Sequence, residues 1–326
     1  MSNQAHVKPD TREKVLKAAR ELGYSPNPLA QAMLSGRTHT LGVVLSDVGN
    51  PFFAHALRSI TATARSAGYD IILANTDENA EIEISAVQLM LDKRVDGIIL
   101  SSANPIVFQH LERAAGLVPM VLIDRKVTAP GLDTVIVDNF AAAFDATSHL
   151  LELGHTRIAV ATSGPSERDN APLISSIIER FDGVRAALRA AGISPRPEDF
   201  WVGGWDLPVN ADAVARFTHD PPSAILATDS LVALSTIAAA RKAGLRIPDD
   251  LSIVTFDNSP WGEAFAPALS VVSQPVRELG AAATRMVIER IEGLSEPPRE
   301  VRLPGRLIVR ESSTRFGGPL SEAEPV

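Results

Sequence analysis

The sequence predicts an α/β protein of two doubly wound parallel-sheet lobes behind a short helical head. Three observations predict it. Short runs of Val, Ile and Leu without period-2 alternation recur along the chain, as in strands buried on both faces of a parallel sheet. Amphipathic stretches of helical period separate these runs, which is the order of an α/β fold. Several of the helical stretches stop at a glycine just past the last turn, at Gly68, Gly192 and Gly244, where a left-handed residue closes a helix.

The elements follow in order. LGVVLS (Leu41–Ser46), DIILAN (Asp70–Asn75), GIILSS (Gly97–Ser102) and MVLID (Met120–Asp124) read as strands, with helices over Phe53–Ala67, Ile82–Asp92 and Val107–Ala115. The pattern then repeats. RIAVAT (Arg157–Thr162), SAILAT (Ser223–Thr228) and LSIVTF (Leu251–Phe256) read as strands, with helices over Phe181–Ala191, Ala211–Phe217, Leu231–Ala243 and Val276–Glu292. Alternation of this kind implies right-handed βαβ units, enough for two sheets. In such folds ligands sit outside the carboxyl ends of the strands, so function is sought in the loops that follow them.

The head differs from the body. Thr11–Leu22 is helical in pattern, with Val15, Leu16, Ala19 and Leu22 on one face and Asp10 or Thr11 as cap. Gly23–Pro28 stops it, Leu29–Leu34 suits one or two turns, and Ser35–Thr40 is a polar linker. One helix and a fragment cannot bury a core of their own, so the head is part of something larger. The tail, residues 315–326, is expected to be disordered.

Bulk properties narrow the function. The 326 residues contain no cysteine, which removes disulfides, thiolate metal sites and lipidated cysteines. No stretch approaches the roughly 20 apolar residues of a membrane span, and the polar start lacks the core of a signal peptide. A cytoplasmic protein with no membrane partner is expected. The formal charge of −8 is unevenly spread: residues 1–40 carry a net +3, which leaves −11 for the rest. A basic head on an acidic body suits a DNA-contacting end on a solvated sensor, though a short helix can also acquire such asymmetry by chance.

No dinucleotide loop, Walker loop, G-x-S-x-G elbow or H-E-x-x-H spacing is present. Neither an enzyme nor a cofactor is therefore expected.

One pattern is far more specific. VKPDTREKVLKAARELGYSPNPLAQAMLSGRTHTLGVVLSDVGNPFF (Val7–Phe53) resembles the lactose/galactose-repressor (LacI/GalR) family almost residue for residue. Further matches follow in order: VLIDR (Val121–Arg125), VDN (Val137–Asn139), HLLELGHTRIA (His149–Ala159), RFDGVRAAL (Arg180–Leu188), ILATDSLVAL (Ile225–Leu234), GLRIPDDLSIVTFDN (Gly244–Asn258) and VRESS (Val309–Ser313). The resemblance implies a periplasmic-binding-protein-like fold of type I. A partial helix-turn-helix headpiece and hinge would occupy residues 1–40. The first lobe would take 41–161 plus about 275–303, and the second 162–274 plus about 304–314. It also implies a ligand-responsive transcription repressor that couples a small effector, a sugar or derivative first and a purine second, to operator DNA.

Position by position, the resemblance places the effector among Phe52, Phe53, Asp124, Arg125, Arg180, Trp205, Asp229 and Asp257. Aromatic rings cover the apolar faces of a sugar or purine, while Arg and Asp bond hydroxyls or ring nitrogens. Structural alternatives stand beside these roles: Asp124–Arg125 as an ion pair, Phe53 as core, Asp257 as a helix cap. Asp138 matches a coupling residue. The hinge would be Asn27, Ala30, Gln31 and Met33, with Met33 wedged into a minor-groove base step; a flexible linker is the alternative. The resemblance also implies a homodimer, with a tetramer as the alternative, and places much of the dimer interface on the helices over Asn79–Leu91 and Phe53–Ala67.

One departure stands out. The family places two further helices before the one over Thr11–Leu22, and only Met1–His6 plus the opening turn precede it here. The expectation is a start codon assigned too far downstream, with operator binding dependent on the full headpiece. The alternative is a headless or periplasmic-type sugar-binding sensor that has no DNA-binding activity of its own.

Overall fold

Strands with apolar side chains on both faces need a layer of helices on each face, and both sheets of this chain are covered in that way. The computed structural model describes residues 36–127, 131–164, 172–203, 209 and 211–317, with six positions of the head. Those six, Thr11, Glu13, Lys14, Lys17, Ala18 and Glu21, are helical. The hinge positions Asn27, Ala30, Gln31 and Met33, and the site candidate Trp205, lie outside the described residues.

The first sheet is built from β1 (Thr40–Leu45), β2 (Asp70–Asn75), β3 (Gly97–Leu100), β4 (Met120–Ile123), β5 (Asp133–Val137) and, from near the end of the chain, β11 (Glu300–Leu303). The second contains β6 (Ile158–Thr162), β7 (Phe200–Val202), β8 (Ala224–Ala227), β9 (Ser252–Phe256), β10 (Ser270–Ser273) and β12 (Arg306–Ile308). Their orders, β11-β5-β4-β3-β1-β2 and β12-β10-β9-β8-β6-β7, correspond strand for strand. All pairs are parallel except β10 with the antiparallel edge strand β12.

In the first lobe, α1 (Pro51–Ser66) and α9 (Val276–Ile291) cover one face of the sheet, where Ile60, Leu279 and Val287 pack on Val43 and Ile99. On the other face lie α2 (Ala80–Asp92) and α3 (Gln109–Ala115), with Met90 and Leu111 against Ile98 and Leu122. The second sheet is covered by α4 (Asn139–Glu152) and α5 (Ser175–Ala190) on one side, through Leu150, Phe181 and Val184. On its other side lie α6 (Ala211–His219) and α7 (Ser230–Lys242), which contribute Phe217 and Ile237. The short α8 (Pro260–Ala264) follows β9.

Two expectations need correction, and five strands are additions. The first lobe does not run to residue 161. Helix α4 buries Ala142, Ala143, Ala146 and Leu150 against the second lobe's core, and β6 is a strand of the second sheet, so the chain crosses over at Asp138. The tail does not come free at 315, because the Phe316 amide donates to the Leu153 carbonyl at 2.9 Å and its ring leans on His155. The strands β5, β7, β10, β11 and β12 escape a reading by apolar runs because none holds more than three consecutive apolar residues, too few for such a run to be distinctive.

The chain passes between the lobes three times: from β5 to α4, from β10 to α9, and from β11 to β12. The crossovers lie side by side, and the Asp138 amide donates to the Leu303 carbonyl at 2.8 Å. Among the described residues no helix is long and apolar enough to cross a membrane.

Helices α4 and α5 approach so closely that a Cβ on Gly183 would stand 2.3 Å from the Phe140 carbonyl oxygen. Intrinsic propensity favours alanine in a helix by about 1 kcal/mol, but this overlap is with backbone and no rotamer relieves it. Gly183→Ala is expected to destabilise the protein by about 1–3 kcal/mol, seen as a lower urea midpoint. An unchanged midpoint would show that the two helices separate at no cost.

Candidate functional site

The loops at the carboxyl ends of the two sheets face each other across a cavity of about 300 Å³, at the small end of the range for ligand sites. Its apolar wall starts at β1. Asn50 caps α1, its Oδ1 accepting the Phe52 amide at 3.0 Å, and Pro51 fits the first turn. That cap turns Phe52 and Phe53 inward, packed edge to face with centroids 5.1 Å apart. Phe53 serves the core and the cavity at once. Ile174 and Ile177 at the start of α5, with Leu231 and Val232 at the start of α7, form the apolar side of the second lobe.

Two aspartates occupy equivalent places. Asp124 follows β4 and Asp257 follows β9, strands that correspond in the two sheet orders. Both adopt left-handed backbone, with φ of 70° and 74°. Each donates its amide to the neighbouring strand, Asp124 to Val135 at 2.9 Å and Asp257 to Val272 at 3.0 Å. Glu78, which also lines the cavity, is left-handed at φ 57°. Such conformations cost on the order of 1–2 kcal/mol for a non-glycine residue and concentrate at functional sites. Asp257 does not cap the helix that follows, because α8 starts at Pro260 with Ser259 in the cap position. Asp229 does cap α7, accepting the Leu231 and Val232 amides at 2.9 Å through one oxygen. Its other oxygen accepts the Ser163 hydroxyl at 3.2 Å.

Arg180 reaches into this ring of carboxylates from α5 and is buried. Its donors go to neutral acceptors: Asn139 Oδ1 at 2.8 Å, the Thr228 carbonyl, and Gln274 Oε1 at 3.3 Å. Its guanidinium lies over the Phe256 ring, 4.0 Å from the centroid. Gln274 turns its Nε2 to Asp257 Oδ1 at 2.6 Å and so joins the cation to that carboxylate.

Burial dominates the electrostatics. It raises the Asp124 carboxyl against the opposing pull of Arg125 and Arg180, and raises that of Asp229 against its cap bonds. Burial pushes Asp257 up to about 6, although Arg180 works the other way. The same loss of solvent lowers Arg180 despite three aspartates around it. Among the described residues no three His, Asp or Glu side chains converge to hold a metal ion. What the arrangement suits is a small molecule with an apolar face and several hydroxyls or amines.

A larger groove of about 700 Å³ opens beside the cavity between α1 and α9, sharing Phe52, Asp257 and Gln274. Its remaining walls include the exposed side chains His55, Arg58 and Arg277, whereas the smaller cavity gathers the buried polar groups.

Residues 38–311 match the family described as periplasmic binding proteins and sugar binding domain of LacI family. The chain belongs to the LacI family. It is 33% identical to catabolite control protein A of Priestia megaterium, over 96% of this chain and 93% of that protein. The ribose operon repressor of Halalkalibacterium halodurans is also 33% identical, over 99% of this chain and 93% of its own. The solved complex of the transcriptional regulator CelR with cellobiose superposes with a TM-score of 0.73 at 29% identity, covering 95% of this chain and 92% of that one.

Seven of the eight residues that LacI-family resemblance assigned to the effector line the one cavity; the eighth is Trp205. Arg125 lines it with its side chain already engaged. Its guanidinium binds Glu78 in a bidentate pair at 2.5 and 2.6 Å and donates to the Ser102 carbonyl at 2.9 Å. It also lies 3.3 Å from Asp124, so the ion pair weighed as an alternative is present. Asp138 does not line the cavity: it caps α4, accepting the Ala141 amide at 3.1 Å, within a crossover. Glu78 and Gln274 were not anticipated. Glu78 stands in the loop after β2, where the rule about strand ends could have flagged it, while Gln274 follows a strand that was itself unread.

The LacI-family lobes are also clasped at the rim. Glu179, next to Arg180 on α5, pairs with Arg302 of β11 at 3.0 Å and with Lys126 at 3.7 Å. The Lys126 amide donates to Ser175 Oγ at 2.7 Å.

Asp257 supplies a test of this electrostatic picture. Folding raises its carboxyl to about 6, from near 4 in an unfolded chain. The folded state therefore holds the proton more tightly, and stability is lost as pH rises from about 4 to about 6. Asp257→Asn is expected to equal the parent near pH 4 and exceed it at pH 7 by up to about 3 kcal/mol, measured by urea unfolding at both values. A variant less stable at pH 7 would mean that the carboxylate is held favourably where it lies.

Proposed function

We propose that this chain is a ligand-responsive transcription repressor whose lobes close on a sugar or sugar derivative, with a purine as second choice. The observation that carries the reading is the cavity itself. Aromatic rings, aspartates from both lobes and a buried arginine meet at the facing carboxyl ends of two parallel sheets. Phe52, Phe53, Asp124, Arg125, Arg180, Asp229 and Asp257 are its contacts, and Trp205 is assigned with them from the family resemblance. The names of two relatives favour a sugar: one is a ribose operon repressor and another was solved with cellobiose. The contacts are those of binding rather than of catalysis, and no enzymatic role is assigned.

The lobes are taken as residues 41–138 plus 275–303 and 139–274 plus 304–314. Closure on the effector moves one first lobe relative to its partner in a dimer and changes the spacing of the paired hinges. Effector and operator DNA then alter each other's affinity reciprocally. Asp138, in a crossover, takes the coupling role, and Asn27, Ala30, Gln31 and Met33 form the DNA-contacting hinge. The dimer forms through the outer face of the first lobe, where Leu73 of β2 and Ile82, Ile84 and Leu89 of α2 are exposed. A cytoplasmic location follows from this role.

A thermal-shift panel of sugars and nucleosides tests the sensor reading, since a ligand that binds only the folded state raises its melting point. At least one sugar is expected to do so, and Asp257→Ala should abolish that response while leaving the fold intact. An unchanged affinity in the variant would sink the site assignment, and silence of the whole panel would sink the sensor.

A further inference from the structure

The described residues around the cavity hold more negative charge than positive. Glu78 and Arg125 form their bidentate pair and cancel. That leaves Arg180 as the remaining cation, against Asp47, Asp124, Asp229 and Asp257. Arg180 makes no ion pair with any of them among the described residues, its hydrogen bonds going to a carboxamide, a carbonyl and a second carboxamide. Burial makes three of the four carboxyls weaker acids than usual, as expected of charges taken out of water.

An anionic ligand would meet more like charge than opposite charge in this cavity. A phosphate brings a charge of about −1.5 to −2 and wants bidentate guanidinium or free amides at a helix N-terminus. Arg125 is engaged, and the start of α7 is closed by its own Asp229. At the start of α1, Asn50 takes the Phe52 amide. The start of α5, at Ile174 and Ser176 on the cavity wall, has no side-chain cap, and any amide it offers stands against four carboxylates. By contrast, Asp124 and Asp257 stand at equivalent positions on the two lobes, both acceptors when ionised, and both able to take a hydroxyl or ammonium proton. A molecule that donates to both ties the lobes together, while one that adds negative charge drives them apart.

We infer that the effector of this site carries no negative charge: it is a neutral polyhydroxylated molecule or one bearing a protonated amine, and phosphorylated or acidic sugars are rejected. This rests on the sensor reading above and sharpens it to a ligand class. The rejection is electrostatic, so it acts on charge at any position of the sugar that enters the cavity.

Matched ligands separate the two claims. Titration calorimetry of the full chain at pH 7.5 would use ribose with ribose 5-phosphate, glucose with glucosamine and glucose 6-phosphate, galactose with galacturonate, and adenosine with AMP. In every set with a binder, the neutral or amine member is expected to bind at least about ten-fold more tightly than its anionic counterpart. Asp124→Asn, which removes one carboxylate without changing its shape, should narrow that gap. An anionic member that binds as tightly as its neutral partner, or a gap unchanged by Asp124→Asn, overturns the charge selection while the sensor reading stands. No heat from any member overturns both.

Discussion

Covering each parallel sheet with helices on both faces leaves a small molecule one place to meet the strands, at the loops beyond their carboxyl ends. Everything distinctive about this protein follows from setting two such edges against each other. The fully buried runs Gly97–Leu100, Met120–Ile123, Ala224–Ala227 and Ser252–Phe256 fix where those edges lie. The residues just beyond them, Asp124, Thr228 and Asp257, therefore have little freedom to be elsewhere. The left-handed turns and raised carboxyls of Asp124 and Asp257 are the local cost of placing polar groups at the lip of an apolar layer.

That cost has a use. A carboxylate stripped of water without a full set of partners makes the empty state less favourable, and a ligand that supplies donors removes the deficit. Arg180 is the complementary case, a buried cation satisfied by carbonyl-type oxygens rather than by a carboxylate. Stability is thus given up at the positions where recognition is required. Glu179 and Arg180 show how closely the two tasks are joined: successive residues of one helix, one at the inter-lobe clasp and the other in the cavity.

Much of this was legible in the sequence, for physical reasons that differ by element. Apolar runs such as Val43–Leu45 and Ile98–Leu100 announce strands because both faces are buried, and the helical stops at Gly68 and Gly244 do adopt positive φ. The site aspartates were found through family resemblance, and position after a strand agrees with it. Strands such as SVVS (Ser270–Ser273) and EVRL (Glu300–Leu303) hold too short an apolar run to be distinctive. The division between the lobes was misplaced because α4 is amphipathic enough for either sheet, and only its packing on Phe181 and Val184 decides which. Glu78 and Gln274 look like ordinary polar loop residues until Arg125 and Arg180 are seen to reach them.

The threefold crossing of the chain also orders its own biosynthesis. The first lobe's core includes Leu279, Ala283 and Val287 from α9, and its edge strand β11 ends at Leu303. As the polypeptide leaves the ribosome, the whole second sheet but β12 is translated before those residues appear. The half of the protein that is made first is therefore the half completed late, and it must wait, partly uncovered, for a helix that arrives nearly at the end.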